Sequence, residues 1–188
     1  MNKKVILNLF ICLSLVQIAV PASMIHKWET TLREGRQYRF RTAPVDPYDP
    51  FRGRYVALRL QADSAPAPRG EVPFPGQKVY AILNQDEEGF ARIAEVSLKR
   101  PQGDNFIQAS VSHANQSKVY LKLPFDRYYA EEKTAPAIER SYRRYSRMDL
   151  QDAYITVRIK SGVGVLEELY IKDMPVLEFL RKEAATSH

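Results

Sequence analysis

Two lysines, Lys3 and Lys4, stand before an apolar run from Val5 to Val20 that only Asn8, Ser14 and Gln17 interrupt, and that extends through Pro21, Ala22, Ser23 and Met24 to Ile25. No other feature restricts this chain as much. About 20 apolar residues are enough to span a bilayer as a helix, and a basic amino end ahead of such a run is an export signal. Two readings stay open: a cleaved signal peptide, with Val20-Pro21-Ala22 supplying small residues before Ser23, or an uncleaved anchor. Bulky Phe10 and Ile11 ahead of Cys12 argue against lipid attachment there. The lysines precede the run, whereas the flank after it balances Lys27 against Glu29 and Arg33 against Glu34. By the positive-inside rule the amino end stays in the cytoplasm and the remainder crosses. In a bacterial cell that describes an inner-membrane, single-pass protein with its domain in the periplasm. The one cysteine, Cys12, lies inside the apolar run, so the exported part has no internal disulfide and no Cys-based zinc site.

Behind the run the pattern changes. Trp28 to Gly35 reads as a polar continuation of the helix, with Gly35 placed to end it. Residues 1–25 are then a signal anchor, 26–36 a juxtamembrane helix extension, and 37–188 one extracytoplasmic domain of a size that buries a sizeable core. Tyr38, Phe40 and Thr42 alternate with Arg39 and Arg41, as in a half-buried strand, and prolines break the pattern between Ala43 and Pro50. Arg54 to Gln61 resumes it, with Tyr55, Ala57 and Arg59 on one face and Val56, Leu58 and Leu60 on the other. Ser64 to Pro75 reads as a surface loop. Three hairpins are expected: residues 78–83 with 90–98 across a turn ending in Gly89, residues 106–111 with 118–123, and residues 153–159 with 165–171 across Ser161-Gly162-Val163-Gly164. Thr134 is placed to cap a helix through about Ser146, with Pro136 in its first turn. Met174-Pro175 starts a terminal helix from Val176 to about Ala184. The expected fold is mainly β in the α+β class: an antiparallel sandwich or partial barrel of hairpins with one inserted helix and a short C-terminal helix, behind an N-terminal transmembrane helix.

The segment Asp46-Pro47-Tyr48-Asp49-Pro50-Phe51-Arg52-Gly53 is the richest in chemistry. Two carboxylates three residues apart suit a divalent cation or an acid/base pair. Asp before Pro is equally a turn former, and no further ligand follows at the spacing of a calcium loop. No metal and no cofactor is expected, and Arg52 is expected to pin the loop. His26, His113 and His188 form no ligand motif, and no nucleophile elbow or phosphate-cradling glycine run occurs. The segment Arg127-Tyr128-Tyr129-Ala130-Glu131-Glu132 reads as a ligand platform or as an aromatic cover for the core edge with Arg127 and Glu131 paired across it. Arg140, Arg143, Arg144 and Arg147 share one helix face, either solvated or meeting anionic headgroups or an acidic partner. The net charge of +6, from 28 basic and 22 acidic residues, drops to +4 once Lys3 and Lys4 are assigned to topology. Nucleic acid is not an expected partner of an exported domain.

The stretch from Thr42 to Leu60 resembles the GDYXXLXY family, a group of bacterial membrane-anchored proteins of unknown function. That pattern is an Asp-Pro-rich turn, then Gly-Asp-Tyr, two free positions, Leu, one free position and Tyr. Gly53, Tyr55 and Leu58 match it, while Arg54 stands in place of the Asp and Leu60 in place of the last Tyr. The resemblance extends from the anchor through the hairpin at Val79 and the Arg127 segment to the last hairpin. It implies an uncleaved transmembrane helix, no catalytic residue, and a partner that is itself a multi-span membrane protein. A catalytic or ligand role for the motif's acid would be missing here, whereas a turn at Gly53 and a strand through Tyr55 and Leu58 survive the change.

Two functions follow as expectations. The first is a membrane-anchored, non-enzymatic interaction module with an integral membrane partner. The alternative is an envelope hydrolase or small-ligand-binding protein built on Asp46, Asp49, Tyr55 and Arg127.

Overall fold

The computed structural model describes residues 3–43, 55–68, 72–147 and 150–186. Asp46, Asp49, Arg52, Gly53 and Arg54 of the motif segment, and His188, lie outside the described residues. The chain opens with one helix, α1 (Lys3–Glu34), that runs unbroken through the expected anchor and its polar extension. Its apolar side chains from Val5 to Ile25 are about half to two-thirds exposed, and burial begins only near Thr31, which is 2% exposed.

Mainly antiparallel strands follow: β1 (Arg36–Ala43), β2 (Tyr55–Ala57), β3 (Arg59–Leu60), β4 (Ser64–Pro66), β5 (Lys78–Gln85), β6 (Ala91–Ser97), β7 (Phe106–Ala114), β8 (Lys118–Lys122) and β9 (Arg127–Tyr129). Then come α2 (Ala135–Tyr145), β10 (Ala153–Lys160), β11 (Val163–Ile171), β12 (Met174–Pro175) and α3 (Val176–Thr186). One five-stranded sheet has the order β12-β11-β10-β1-β3 and another the order β4-β8-β7-β5-β6, with the ribbon β2-β9 beside them. Single bridges, Arg39 to Phe90 and Ile107 to Gly162, stitch the two large sheets together, so the whole approaches a closed barrel. The core lies between them, filled by alternate residues such as Phe40, Val79, Ile107, Ile155 and Leu169, all fully buried. Closure satisfies strand edges that would otherwise be open.

The alternation in β1 is as its sequence demands: Tyr38, Phe40 and Thr42 are buried and Arg39 and Arg41 point out. The three hairpins form; β7 and β11 are longer than the apolar runs suggest, continuing through residues 112–114 and 163–164, whereas β6 and β8 are one or two residues shorter. Two expectations need correction. Ser64 to Pro66 is a strand rather than loop, paired with the outer edge of β8, where a proline costs no ladder bond on its solvent side. Residues 54–61 do not make one strand. β2 pairs with β9 and β3 with β1, and the chain turns between them at Leu58, whose N–H donates to the Asp126 carbonyl at 2.9 Å. A single strand cannot hydrogen-bond to two sheets of different orientation, so the break is the cost of joining them.

Thr134 occupies the N-cap position of α2, but its backbone is already helical and its hydroxyl donates to the Glu131 carbonyl at 3.1 Å instead of accepting a helix N–H. What docks α2 is Tyr142. It is 1% exposed, and its hydroxyl donates to the Ala43 carbonyl at 3.0 Å and accepts the Arg59 N–H at 3.3 Å. Burial pushes that hydroxyl up to about 12, against the lowering effect of the Arg59 N–H.

The junction between α1 and the first sheet is tight. Gly35 donates its N–H to the Thr31 carbonyl at 2.9 Å, and its carbonyl accepts Arg158 Nη1 at 3.3 Å. A Cβ on residue 35 would stand 2.3 Å from the Thr31 oxygen and 3.0 Å from the Ile159 nitrogen. Lys160 pairs with Glu34 across the corner and holds its carboxyl below the usual range. Burial pushes the Glu167 carboxyl up, but hydrogen bonds from Gln37 at 2.5 Å and Arg158 at 3.1 Å outweigh it, so it too lies low. Gly35→Ala is therefore expected to lower stability by about 1–3 kcal/mol through overpacking, read as a drop in melting temperature. A melt equal to the parent's contradicts this seat. Leu58, 6% exposed, should cost about 2–5 kcal/mol when changed to Ala, while Tyr55→Ala, on the outer face of its ribbon, should cost far less in the same assay.

Candidate functional site

The two candidate surfaces lie on different elements and share no lining residue. The first belongs to the β2-β9 ribbon. Register sets Tyr55 opposite Tyr129 and Ala57 opposite Arg127, and the two-residue period of a strand puts Arg127 and Tyr129 on one face. The Tyr55 and Tyr129 rings lie 6.0 Å apart at 59°, and the Arg127 guanidinium sits 4.7 Å from the Tyr55 ring. Its ionic partner is the neighbouring Asp126, at 3.8 Å, and not Glu131 as expected. The Tyr129 side chain first, then Tyr55 and Asp126, raise the Arg127 pKa above the ordinary arginine value. Tyr128 points the other way. Its hydroxyl donates to Glu168 at 2.8 Å, and burial, then that carboxylate, push its pKa up. Tyr55, Arg127 and Tyr129 thus converge, while Tyr128 and Leu58 serve the core.

Beside the ribbon, a groove of about 440 Å³ runs between Trp28 of α1 and the start of β11. Phe125, the chain entering β11 from Gly162 to Leu166, Arg127 and Tyr129 line it together with Trp28. Trp28 is 53% exposed and Tyr129 70%. The early part of β11 is half-buried on both faces because α1 covers one of them only in part. Gly164 is required there: a Cβ would meet Ile107 at 2.5 Å and Phe125 at 3.0 Å. The turn itself is Ser161-Gly162, with φ of 50° and 84°, the left-handed pair of a two-residue hairpin turn.

The second surface is a charged cleft of about 970 Å³ between the β5–β6 turn and the ends of β1, β10 and β11. Arg39 is sandwiched at 4.5 Å from the Phe90 ring and 4.5 Å from the Tyr154 ring, and lies 3.7 Å from Asp173. Its Nε is buried without a hydrogen-bond partner. Arg41 reaches Asp86 at 2.5 Å and Glu88 at 2.7 Å and lies 4.0 Å over Phe90. Tyr154 stacks on Tyr170 at 5.0 Å and donates to Asp173 at 3.0 Å. Burial, then that carboxylate, push its hydroxyl up to about 12. Asp86 also accepts the N–H groups of Glu88 and Phe90, at 3.1 and 2.8 Å. Arg41 first, then the Phe90 N–H, hold its carboxyl below the usual range.

An acid held ionised in this way accepts hydrogen bonds but has no proton to give near neutral pH. The cleft can therefore recognise charge and aromatic faces. Among the described residues no group of three or more His, Cys, Asp or Glu side chains is arranged to hold a metal ion.

The arginine stripe on α2 is exposed, and members of it have partners of their own. Arg143 pairs with Glu139 at 2.6 Å, and Arg144 faces Glu183 of α3 at 3.7 Å. Arg147 lies past the end of α2 at Tyr145. Tyr142 fixes this helix to Ala43, the end of β1 farthest from α1, roughly 23 Å along the strand at about 3.3 Å per residue.

The family model described as GDYXXLXY protein matches residues 17–169, most of the chain. The chain belongs to the GDYXXLXY family. No curated protein and no solved structure matches it. The match begins inside α1, within the apolar run, and ends in β11, so the GDYXXLXY unit takes in part of the helix, the junction between helix and sheet, the groove and the part of the charged cleft that precedes Tyr170. Of the family motif, Tyr55 and Leu58 divide the work, one outward on the ribbon and one in the core at the turn between sheets. Leu60, which replaces the last Tyr, is 7% exposed and pairs opposite Thr42.

The depressed Asp86 pKa fixes the sign of its pH dependence. Its pairing contributes stability above the unfolded carboxyl value of about 3.9 and loses it as pH falls through the lower folded value. Asp86→Asn should flatten the acid limb of the melting curve below about pH 4. An acid limb as steep as the parent's means that the Arg41 pair adds nothing.

Proposed function

We propose that this protein is a membrane-anchored, non-enzymatic interaction module whose partner resides in the same membrane. The observation that carries the reading is the union of α1 with the first sheet. The helix passes from its apolar run into Thr31, Gly35 and the Arg158 and Lys160 contacts with no linker between. A domain joined in this way is held against its own bilayer, at the height where an integral-membrane partner presents its loops. Among the described residues one helix, Lys3–Glu34, is long and apolar enough to cross a membrane. The lysine bias puts the amino end in the cytoplasm and the domain in the periplasm. Among the described residues neither surface assembles a nucleophile with a base, or a carboxyl group with a raised pKa beside an ionised one, as acid/base hydrolysis would use. The groove offers what partner recognition uses, exposed Trp28 and Tyr129 beside Arg127, and the cleft offers half-buried aromatics beside Arg39 and Arg41.

A flexible Gly/Ser insertion of about ten residues after Gly35 tests this. The altered chain should still fractionate with membranes, while cross-linked recovery of its integral-membrane partner falls several-fold relative to the parent. Equal recovery, or release of the parent as a processed soluble chain, would sink the reading.

A further inference from the structure

The groove beside Trp28 lies at a depth that the helix itself defines. From Val5 to Ile25, at about 1.5 Å per residue, α1 is roughly 31 Å long, against a hydrocarbon core of about 30 Å. Trp28 is three residues farther on, about 4.5 Å along the axis. The headgroup layer is roughly 5–7 Å thick on each side of that core, so the Trp28 side chain and whatever it touches stand within it. Tryptophan and tyrosine favour this layer, with their rings toward the chains and their polar edges toward water. The groove joins Trp28 to Tyr129, Phe125 and the start of β11, and none of its lining residues is acidic. Arg127 supplies a cation at the rim, with a planar fork of donors suited to phosphate.

We propose that this groove seats one phospholipid of the protein's own membrane, its phosphate on Arg127, its glycerol region against Tyr129, and its first acyl carbons between Trp28 and the start of β11. The inference rests on α1 being retained as the anchor. It adds a ligand site to the interaction reading, and it explains why the start of β11, from Val163 to Leu166, is left half-buried beside α1. The lipid completes its cover. The arginine stripe of α2 is not part of the site, since it is fixed to the far end of β1.

The test uses the full chain in vesicles of phosphatidylethanolamine and phosphatidylglycerol containing a phospholipid with a diazirine in its headgroup. After illumination, adducts should map to residues 124–129 and 162–166 as well as to α1. Arg127→Gln should lower labelling of those two segments at least five-fold at unchanged melting temperature, Arg127→Lys should keep more than half of it, and Arg92→Gln should leave it unchanged. Labelling confined to α1, or insensitive to Arg127→Gln, overturns the groove assignment while the anchor reading stands. Loss of labelling in millimolar inorganic phosphate makes the groove a free-anion site and overturns the lipid assignment. A chain that does not float with the vesicles overturns both readings.

Discussion

Everything in this fold hangs on the approach of α1 to β10 at residue 35. The helix end can lie on the strand only where no side chain intervenes, and the Gly35 backbone occupies the space that a Cβ would need between Thr31 and Ile159. Once the backbone is that close, short polar contacts become available from both sides: Arg158 to the Gly35 carbonyl, Lys160 to Glu34, and Gln37 to Glu167. Each is partly exposed and modest alone. Together they fix the angle at which the helix enters the sheet. β10 is paired along both edges, to β1 and β11, so that angle is transmitted to the central strands of the sheet.

The two large sheets are joined by single bridges, and each bridge dictates a feature of the surface. Setting Arg39 beside Phe90 forces a cation between two rings, and the cleft forms around it. The sandwich is favourable where Arg is partly desolvated, and the acids of the β5–β6 turn then gather on the neighbouring Arg41. Setting Ile107 beside Gly162 brings the last hairpin onto Phe106 and Phe125, which leaves room for glycine alone at residues 162 and 164. The same contact sets the start of β11 along the groove next to Trp28. Surface chemistry at both places is thus a consequence of how the barrel closes.

Local features of this architecture were legible in the residues. The two-residue period of Tyr38, Phe40 and Thr42 assigns faces to β1 correctly, the glycines at 89 and 162 mark their turns, and a run of apolar residues after two lysines makes a helix of membrane length. What depends on distant partners was not legible. The ion pair of Arg41 with Asp86 spans 45 positions, and nothing near either residue announces the other. The outward arginines of β1 were the visible signal, since charges on a strand flanked by buried neighbours need partners, but the identity of those partners is set by strand order. For the same reason β4 hid in a proline-rich stretch, because an edge strand needs only one pairing side. The break at Leu58 hid inside an apolar alternation that continues on both sides of it. Of the candidate site residues, Tyr55, Arg127 and Tyr129 meet because β2 and β9 pair, which no local pattern specifies.

The absence of a linker after α1 has a mechanical meaning. A helix in a bilayer thinner than its apolar length tilts to keep its side chains in hydrocarbon. With α1 held in a membrane and clasped to β10 at its end, there is no joint in which such a tilt could be lost. The strands turn with the helix, and the charged cleft turns with the strands. The bearing of the domain above its membrane then follows the thickness of the bilayer, which makes local lipid composition a coordinate of where the cleft points.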